Sequence, residues 1–354
     1  MQNEYQKYMH RCLELAKLGT GNVAPNPMVG AVLVHNKKII GEGYHKKYGE
    51  AHAEVNCIES VKEQNKILIE ESTLYVSLEP CVHYGKTPPC ADLIIKNKIP
   101  KVVIGCRDVF EQVAGKGIEK LKDAGVEVIT GILENESLEL NKRFFTFHQK
   151  QRPYIILKWA QSLDGKIAAS SKPSNERTLI SNEYSNRLVH KWRSEEAAIM
   201  IGTNTAIQDD PSLTTRLWEG KNPLRIVIDM NLRLHSTLKV FDKKIKTFVF
   251  NKIKHSEEEN LIYYKLEPEN ILKTIMKALH AMNIQSVIIE GGATLLQSFI
   301  NAGLWDEARI ITNEQMLIND GIDAPGLKEN LFEKSERYFG DSIIYFRRKT
   351  DLLI

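Results

Sequence analysis

At 354 residues the chain exceeds one ordinary core and predicts two domains. A composition of 42% hydrophobic and 26% charged residues is that of a globular protein, and a net charge of +3 argues against a nucleic-acid surface. No run approaches roughly 18 uninterrupted apolar residues, which argues against a membrane span. The amphipathic, acid-containing start MQNEYQKYMHRCLELAKLG does not read as a signal peptide, so a cytoplasmic protein is expected.

Residues 4–18 predict a helix, followed by the Pro-punctuated loop 22–27. Residues 29–34 and 38–43 predict a hairpin with His35-Asn36 at its turn. A helix starts near His52, and the apolar run 73–78 predicts a buried strand that ends in Glu79-Pro80-Cys81. Helix 91–97, strand 101–106, helix 117–124 and strand 126–129 follow, and strands joined by helices imply a largely parallel three-layer sheet. A helix ends near Thr146, and the polar segment 148–153 reads as a linker between domains 1–147 and 153–354. The second half alternates again, with strand 154–159, helix 183–194 and strands 197–202, 225–229 and 246–251. Helix 269–282, strand 286–290, helix 294–302 and strand 308–312 follow, and 342–348 is expected as an edge strand. The two halves share no internal repeat, and about 200 residues suffice for a second α/β domain.

Five cysteines, at 12, 57, 81, 90 and 106, are an odd count that in a reducing compartment does not suggest a disulfide framework. His52, Cys81 and Cys90 offer one imidazole and two thiolates, a donor set that holds zinc and leaves a fourth position for water. Glu54 stands two residues from His52, near enough to reach that water without binding the metal. This is what hydrolytic deamination needs: the metal lowers the pKa of the water and the carboxylate moves its proton to the departing amine. The zinc-deaminase signature has the form His-x-Glu then Pro-Cys-x-x-Cys; here eight residues separate Cys81 from Cys90. A closed structural zinc site would take His83 as fourth ligand, but Cys81-x-His83 is a tight spacing and leaves Glu54 without a task. Cys12, Cys57 and Cys106 read as small core residues. In the second half, Glu290-Gly291-Gly292-Ala293-Thr294 ends a strand and opens a helix, so free N–H groups there can face an anion, although such a turn is common in a purely structural role. No Gly-x-Gly-x-x-Gly is present to support a Rossmann nucleotide site.

Pro25-Asn26-Pro27-x-Val29-Gly30, Gly41-x-Gly43-Tyr44-His45, His52-Ala53-Glu54, Leu78-Glu79-Pro80-Cys81 and Gly85-Lys86-Thr87-Pro88-Pro89-Cys90 occur in that order. They are followed by Ser162-Leu163-Asp164-Gly165-Lys166, Asp209-Asp210-Pro211-Ser212-Leu213-Thr214-x-Arg216 and Glu290-Gly291-Gly292-x-Thr294-Leu295. Together they resemble the bifunctional deaminase–reductase family of riboflavin biosynthesis over essentially the whole chain. The resemblance implies an N-terminal cytidine-deaminase-like domain and a C-terminal dihydrofolate-reductase-like domain. It implies hydrolysis of a pyrimidine amino group by zinc, held by His52, Cys81 and Cys90, with Glu54 as proton shuttle and Asn26, His45 and Lys86 lining the pocket. In the second domain it implies NADPH at Ala160, Thr205, Asp209, Gly292, Ala293, Thr294, Leu295, Leu296, Gln297 and Ser298. Substrate contacts are implied at Arg193, Leu213, Arg216 and Glu290, where two guanidinium groups suit a phosphate clamp.

Read without the resemblance, Asn26, His45 and Lys86 are a capping Asn, a surface His and a solvated Lys, and Arg193 and Arg216 are solvated charges. The chain departs from the family at Asp108-Val109-Phe110-Glu111, where Asp-Pro-Asn-Pro is usual. It departs again at Arg177-Thr178-Leu179-Ile180-Ser181 and at Met230, where a Ser is frequent. The expected partner is a small phosphorylated pyrimidine, with no nucleic acid and no membrane, and a homo-oligomer is expected. The competing readings are a single-function nucleobase or tRNA deaminase with an accessory domain, and a structural-zinc RNA-interaction protein. The lack of a basic, aromatic-studded stripe counts against both nucleic-acid readings.

Overall fold

The computed structural model describes residues 2–84, 88–110, 113–170, 178–267, 269–327 and 330–348. The chain divides into two compact α/β units, Met1–Lys150 and Gln151–Ile354.

Unit 1 opens with α1 (Gln2–Lys17), then β1 (Gly30–His35) and β2 (Lys38–Tyr44). The turn residues are Asn36 and Lys37, both at positive φ (46° and 64°), the geometry a two-residue hairpin loop requires; the turn lies one residue beyond the expected pair. α2 (Ala53–Glu59), β3 (Thr73–Leu78), α3 (Cys90–Lys96), β4 (Lys101–Cys106), α4 (Lys116–Asp123), β5 (Glu127–Thr130), α5 (Glu134–Leu140) and α6 (Lys142–Lys150) follow. The sheet runs β2-β1-β3-β4-β5. β3, β4 and β5 are mutually parallel, and β1 is antiparallel to both neighbours, as the expected hairpin requires, so the sheet is mixed. A tight hairpin can join only antiparallel strands, whereas helical crossovers give parallel ones. Alternate residues of β1 feed opposite faces: Ala31 and Leu33 pack with Val76 and Ile104, while Val32 and Val34 pack under Met9 and Cys12 of α1. The segment read as a linker begins inside α6, because Phe144, Phe145 and Phe147 bury that helix and its last turn carries His148 and Lys150.

Unit 2 contains, in chain order, β6 (Tyr154–Ser162), β7 (Lys166–Ala169), α7 (Glu183–Glu195), β8 (Ala198–Gly202), α8 (Thr203–Asp209), β9 (Leu224–Ile228), β10 (Thr247–Asn251), β11 (Ser256–Glu258) and β12 (Leu261–Lys265). α9 (Ile271–Ala281), β13 (Ser286–Glu290), α10 (Ala293–Asn301), β14 (Glu307–Asn313), β15 (Gly321–Asp323), β16 (Asn330–Tyr338) and β17 (Asp341–Arg348) complete it. Among the described residues the main sheet runs β11-β12-β10-β9-β8-β13-β6-β14-β17-β16, and β7 pairs with β15 apart from it. The strands from β12 to β14 are mutually parallel. β6 and β13 are covered on both faces, with Ile155, Leu157 and Ile289 on one side and Tyr154, Ile156 and Ile288 on the other. The strand at 342–348, expected at the edge, is β17, which lies between β14 and β16. The true edge, β16, carries Glu333, Lys334, Glu336 and Arg337, charges that suit an edge and hide a strand from a reading by apolar runs. Among the described residues no helix is long and apolar enough to cross a membrane.

Candidate active sites

In unit 1 three chain segments converge. His52 is the N-cap of α2, Cys81 follows the end of β3, and Cys90 is the first residue of α3. Cys81 satisfies orphan donors at the start of α3: its carbonyl accepts from Ala91 N–H at 3.1 Å and its sulfur from Cys90 N–H at 3.4 Å. His52 Nδ1 lies 3.6 Å from Cys81 Sγ and 3.4 Å from Cys90 Sγ. All three ligand atoms lie within 4.8 Å of one another, so the set is ready to grip one ion. Cys81 is pushed down to about 4 by the thiol of Cys90 and, after it, by His52, whereas its charge and burial push Cys90 up. Two sulfurs and an imidazole are a zinc donor set. His83 is not in that cluster; its ring stands edge-on to Phe110 at 6.0 Å, so the described residues provide three ligands and an open site.

Glu54, in the first turn of α2, is 4% exposed, and burial followed by the charge of Cys81 holds its carboxyl above the usual range. His45 is buried, not the surface residue its bland reading suggested. Its Nδ1 donates to Ala51 O at 3.0 Å, which leaves Nε2 to accept from Asn26 Nδ2 at 3.1 Å. Its ring meets His52 edge-on at 5.3 Å, so Asn26 and His45 stand beside the cluster as one unit. Lys86 lies outside the described residues. Phe110 packs against His83 and, at 5.1 Å, His148, and its N–H donates to Asp108 Oδ1 at 2.8 Å. Burial pushes Asp108 up to about 6.

In unit 2 the turn after β13 packs against Thr205 of α8. Gly291 has φ +128°, and a Cβ there would stand 2.7 Å from Thr205 Oγ1, so a side chain is excluded. Gly292, the N-cap of α10, donates its N–H to Thr205 Oγ1 at 2.9 Å. Thr205 thus takes one of the N–H groups that were expected to be free to face an anion. Further along α10, Leu296 is fully buried in the core, and Gln297 and Ser298 are bonded to Asn301, Gly326 and Leu295. Ala293 and Leu295 are half-buried, Thr294 is exposed, Ala160 is half-buried on β6, and Asp209 ends α8. Leu213 is 2% exposed and contributes its side chain to the core.

Arg193 on α7 meets Glu290 at the end of β13 with two bonds of 2.7 Å, and its Nη1 donates to Thr214 O at 3.1 Å. Arg193 is therefore no solvated charge: its fork faces Glu290, whereas Arg216 is exposed. Arg216 lines an open cleft of about 430 Å³ with Thr215 and Trp218. Lys158 stands next to the Glu290 carboxylate. It is buried on β6 with Nζ 3.8 Å from Glu290 Oε2, and a lysine inside the apolar run YIILKW is its signal in the sequence. The Ser162–Lys166 motif is a turn in which Asp164 accepts from Ser162 Oγ at 2.6 Å and from the N–H groups of Ile318 and Asn319. Arg177 lies outside the described residues.

Residues 2–106 match the cytidine and deoxycytidylate deaminase zinc-binding region, and residues 153–317 match the RibD C-terminal domain. Riboflavin biosynthesis protein RibD of Aquifex aeolicus is 39% identical over 97% of this chain and 98% of its own length. That of Escherichia coli is 36% identical over 92% of this chain and 91% of its own. The crystal structure of a diaminohydroxyphosphoribosylaminopyrimidine deaminase/5-amino-6-(5-phosphoribosylamino)uracil reductase from Thermotoga maritima aligns at TM-score 0.89 with 34% identity, covering 98% of this chain and 99% of that one. RibD of Acinetobacter baumannii aligns at TM-score 0.88 with 32% identity and the same coverage. Matched nearly end to end by these relatives, the chain belongs to the riboflavin biosynthesis protein RibD family.

Proposed function

We propose that unit 1 deaminates diaminohydroxyphosphoribosylaminopyrimidine hydrolytically with zinc, and that unit 2 reduces the ribosyl arm of 5-amino-6-(5-phosphoribosylamino)uracil to a ribityl chain with NADPH. The observation that carries this reading is the convergence of His52, Cys81 and Cys90 beside buried Glu54, in a chain that matches RibD proteins along its whole length. Zinc, when bound by those three residues, supplies the Lewis acidity that makes water a nucleophile near neutral pH. Glu54, raised by burial, is suited to take a proton and return it to the leaving amine. Asn26, held by His45, presents its carboxamide to the pyrimidine ring. NADPH, when bound at the Thr205–Gly292 turn, supplies the reducing equivalent. Arg193 holds Glu290 in place, Lys158 stands ready as a proton donor beside it, and Arg216 binds the substrate phosphate. This reading keeps a cytoplasmic setting and a small phosphorylated pyrimidine as the partner.

The test incubates the full chain with the diaminopyrimidine phosphate, with and without NADPH, and follows ammonia and NADPH separately. Glu54→Gln should cut ammonia release by on the order of a hundredfold. Zinc should remain and reduction of pre-deaminated substrate should continue. Normal ammonia release by Glu54→Gln removes that residue from its role, and none from the wild type removes the deaminase reading.

A further inference from the structure

Beside the metal cluster lies a carboxylate that the chemistry above does not use. Glu79 directly follows β3, two residues before Cys81, and is 4% exposed. Its N–H donates to Cys106 O at 3.1 Å, which ties the ends of β3 and β4 together. Its side chain accepts four backbone N–H groups: Asp108 at 3.2 Å and Gly115 at 3.0 Å on Oε2, and Gly117 at 2.9 Å and Ile118 at 3.2 Å on Oε1. Those four bonds match the acceptor capacity of a carboxylate.

Three of the donors belong to the start of α4, whose N-cap, Gly115, has no side chain to satisfy them. An ordinary cap would come from the preceding loop and would leave the helix independent of the metal-bearing turn. Here the acceptor comes from that turn itself, and its negative charge also suits the helix N-terminus. At Gly117 an added Cβ would stand 2.1 Å from the carbonyl oxygen of Pro80, the residue between Glu79 and Cys81. The first turn of α4 is thus pressed onto the backbone that carries the ligand, and Asp108 is held by the same carboxylate.

We infer that Glu79 is a positioning residue for deamination: by bonding Asp108, Gly115, Gly117 and Ile118 to the turn before Cys81, it sets where Cys81 Sγ stands relative to Cys90 and His52. This rests on the reading of unit 1 as a metal-dependent deaminase.

The test compares wild type, Glu79→Ala and Glu79→Gln as full chains loaded with cobalt(II), well below their melting temperatures. Misplacement of a ligand by about an ångström can cost on the order of a hundredfold in rate. Glu79→Ala should therefore lose on the order of a hundredfold in deaminase kcat, with KM little changed and the visible cobalt bands shifted. Glu79→Gln keeps one carbonyl acceptor and should fall between the two, and reductase turnover should be unaffected. A purely structural role would lower the unit 1 melting temperature yet leave the kcat and cobalt bands of the folded enzyme at wild-type values; that result overturns the inference. Should Glu79→Ala not fold, the same two readouts on Glu79→Gln decide. Wild type that neither binds cobalt nor releases ammonia overturns the deaminase reading first, before any variant is compared.

Discussion

Arg193 and Glu290, 97 residues apart in sequence, face each other fork to fork, with Nε–Oε1 and Nη2–Oε2 both at 2.7 Å and both side chains buried. Desolvating two charges is repaid only when the geometry is good and the remaining groups are satisfied, as the bond from Arg193 to Thr214 O shows here. Arg193→Ala should cost unit 2 about 3–5 kcal/mol, because it removes both bonds of a buried ion pair and leaves the Glu290 carboxylate without its guanidinium. Arg193→Lys should recover part of this, since an ammonium cannot reproduce the planar fork. Arg216→Ala should behave oppositely, with stability within about 0.5 kcal/mol of wild type and a strongly raised KM for the phosphorylated substrate. Thermal melts and steady-state kinetics of the full chains check both, and an unchanged KM would return Arg216 to the ordinary surface charges.

The three-ligand cluster predicts about one zinc per chain by elemental analysis. Cys90→Ser should lose most of it, since a neutral hydroxyl is a poor substitute for thiolate. The two thiols also hold unequal protons before the metal arrives, Cys81 low and Cys90 high, so loading should release protons and weaken as pH falls. Full zinc retention by both Cys81→Ala and Cys90→Ala would sink the assignment.

His190 on α7 predicts a pH dependence for unit 2. It is 4% exposed, its Nδ1 has no hydrogen-bond partner among the described residues, and burial, then the charges of Arg193 and Arg216, push it down to about 4. The unfolded chain takes up this proton near pH 6.5, the folded chain only near 4. Between those values the unfolded state binds more protons, so stability rises with pH. The contribution is complete above about 6.5 and is lost as pH falls toward 4. The melting temperature of unit 2 should thus drop more between pH 7 and pH 5 in wild type than in His190→Gln. Equal drops would show that the imidazole stays uncharged or is equally charged in both states.

The His52, Cys81 and Cys90 cluster was legible because its donor types are rare together and two of the three stand at helix starts. The buried strands were legible as apolar runs, and the hairpin turn was displaced by only one residue. What stayed hidden depends on distance in sequence or on polarity. β16 is an edge strand written in charges, and β12 (Leu261–Lys265) is a short strand amid polar residues. Glu79 finds its acceptor role 29 to 39 residues downstream, a span that no spacing rule covers. The pairing of Arg193 with Glu290 spans 97 residues and was hidden for the same reason.

Cofactor choice provides the last test. NADPH differs from NADH by a 2′-phosphate, so preference requires a cation or hydroxyl near the adenosine ribose. Met230 offers no hydroxyl; its side chain packs against the core and its carbonyl accepts from Lys252 N–H at 3.1 Å. Arg233, three residues on, is exposed, and its Nη2 donates to Asn204 Oδ1 at 3.2 Å. Asn204 precedes Thr205, which holds the Gly292 turn, so Arg233 is tied to the residue next to that turn. A charge-assisted bond to phosphate is stronger than the neutral one it would replace, and wild type should therefore keep its preference for NADPH. Arg233→Ala should weaken NADPH binding roughly tenfold, the loss of one bond to a charged group, and leave NADH binding unchanged. Fluorescence titration of both cofactors against wild type, Arg233→Ala and Arg177→Ala measures this without turnover. If neither variant changes the ratio, the arginines do not compensate for Met230. A wild type that binds NADH more tightly would show that the NADPH assignment itself does not hold for this chain.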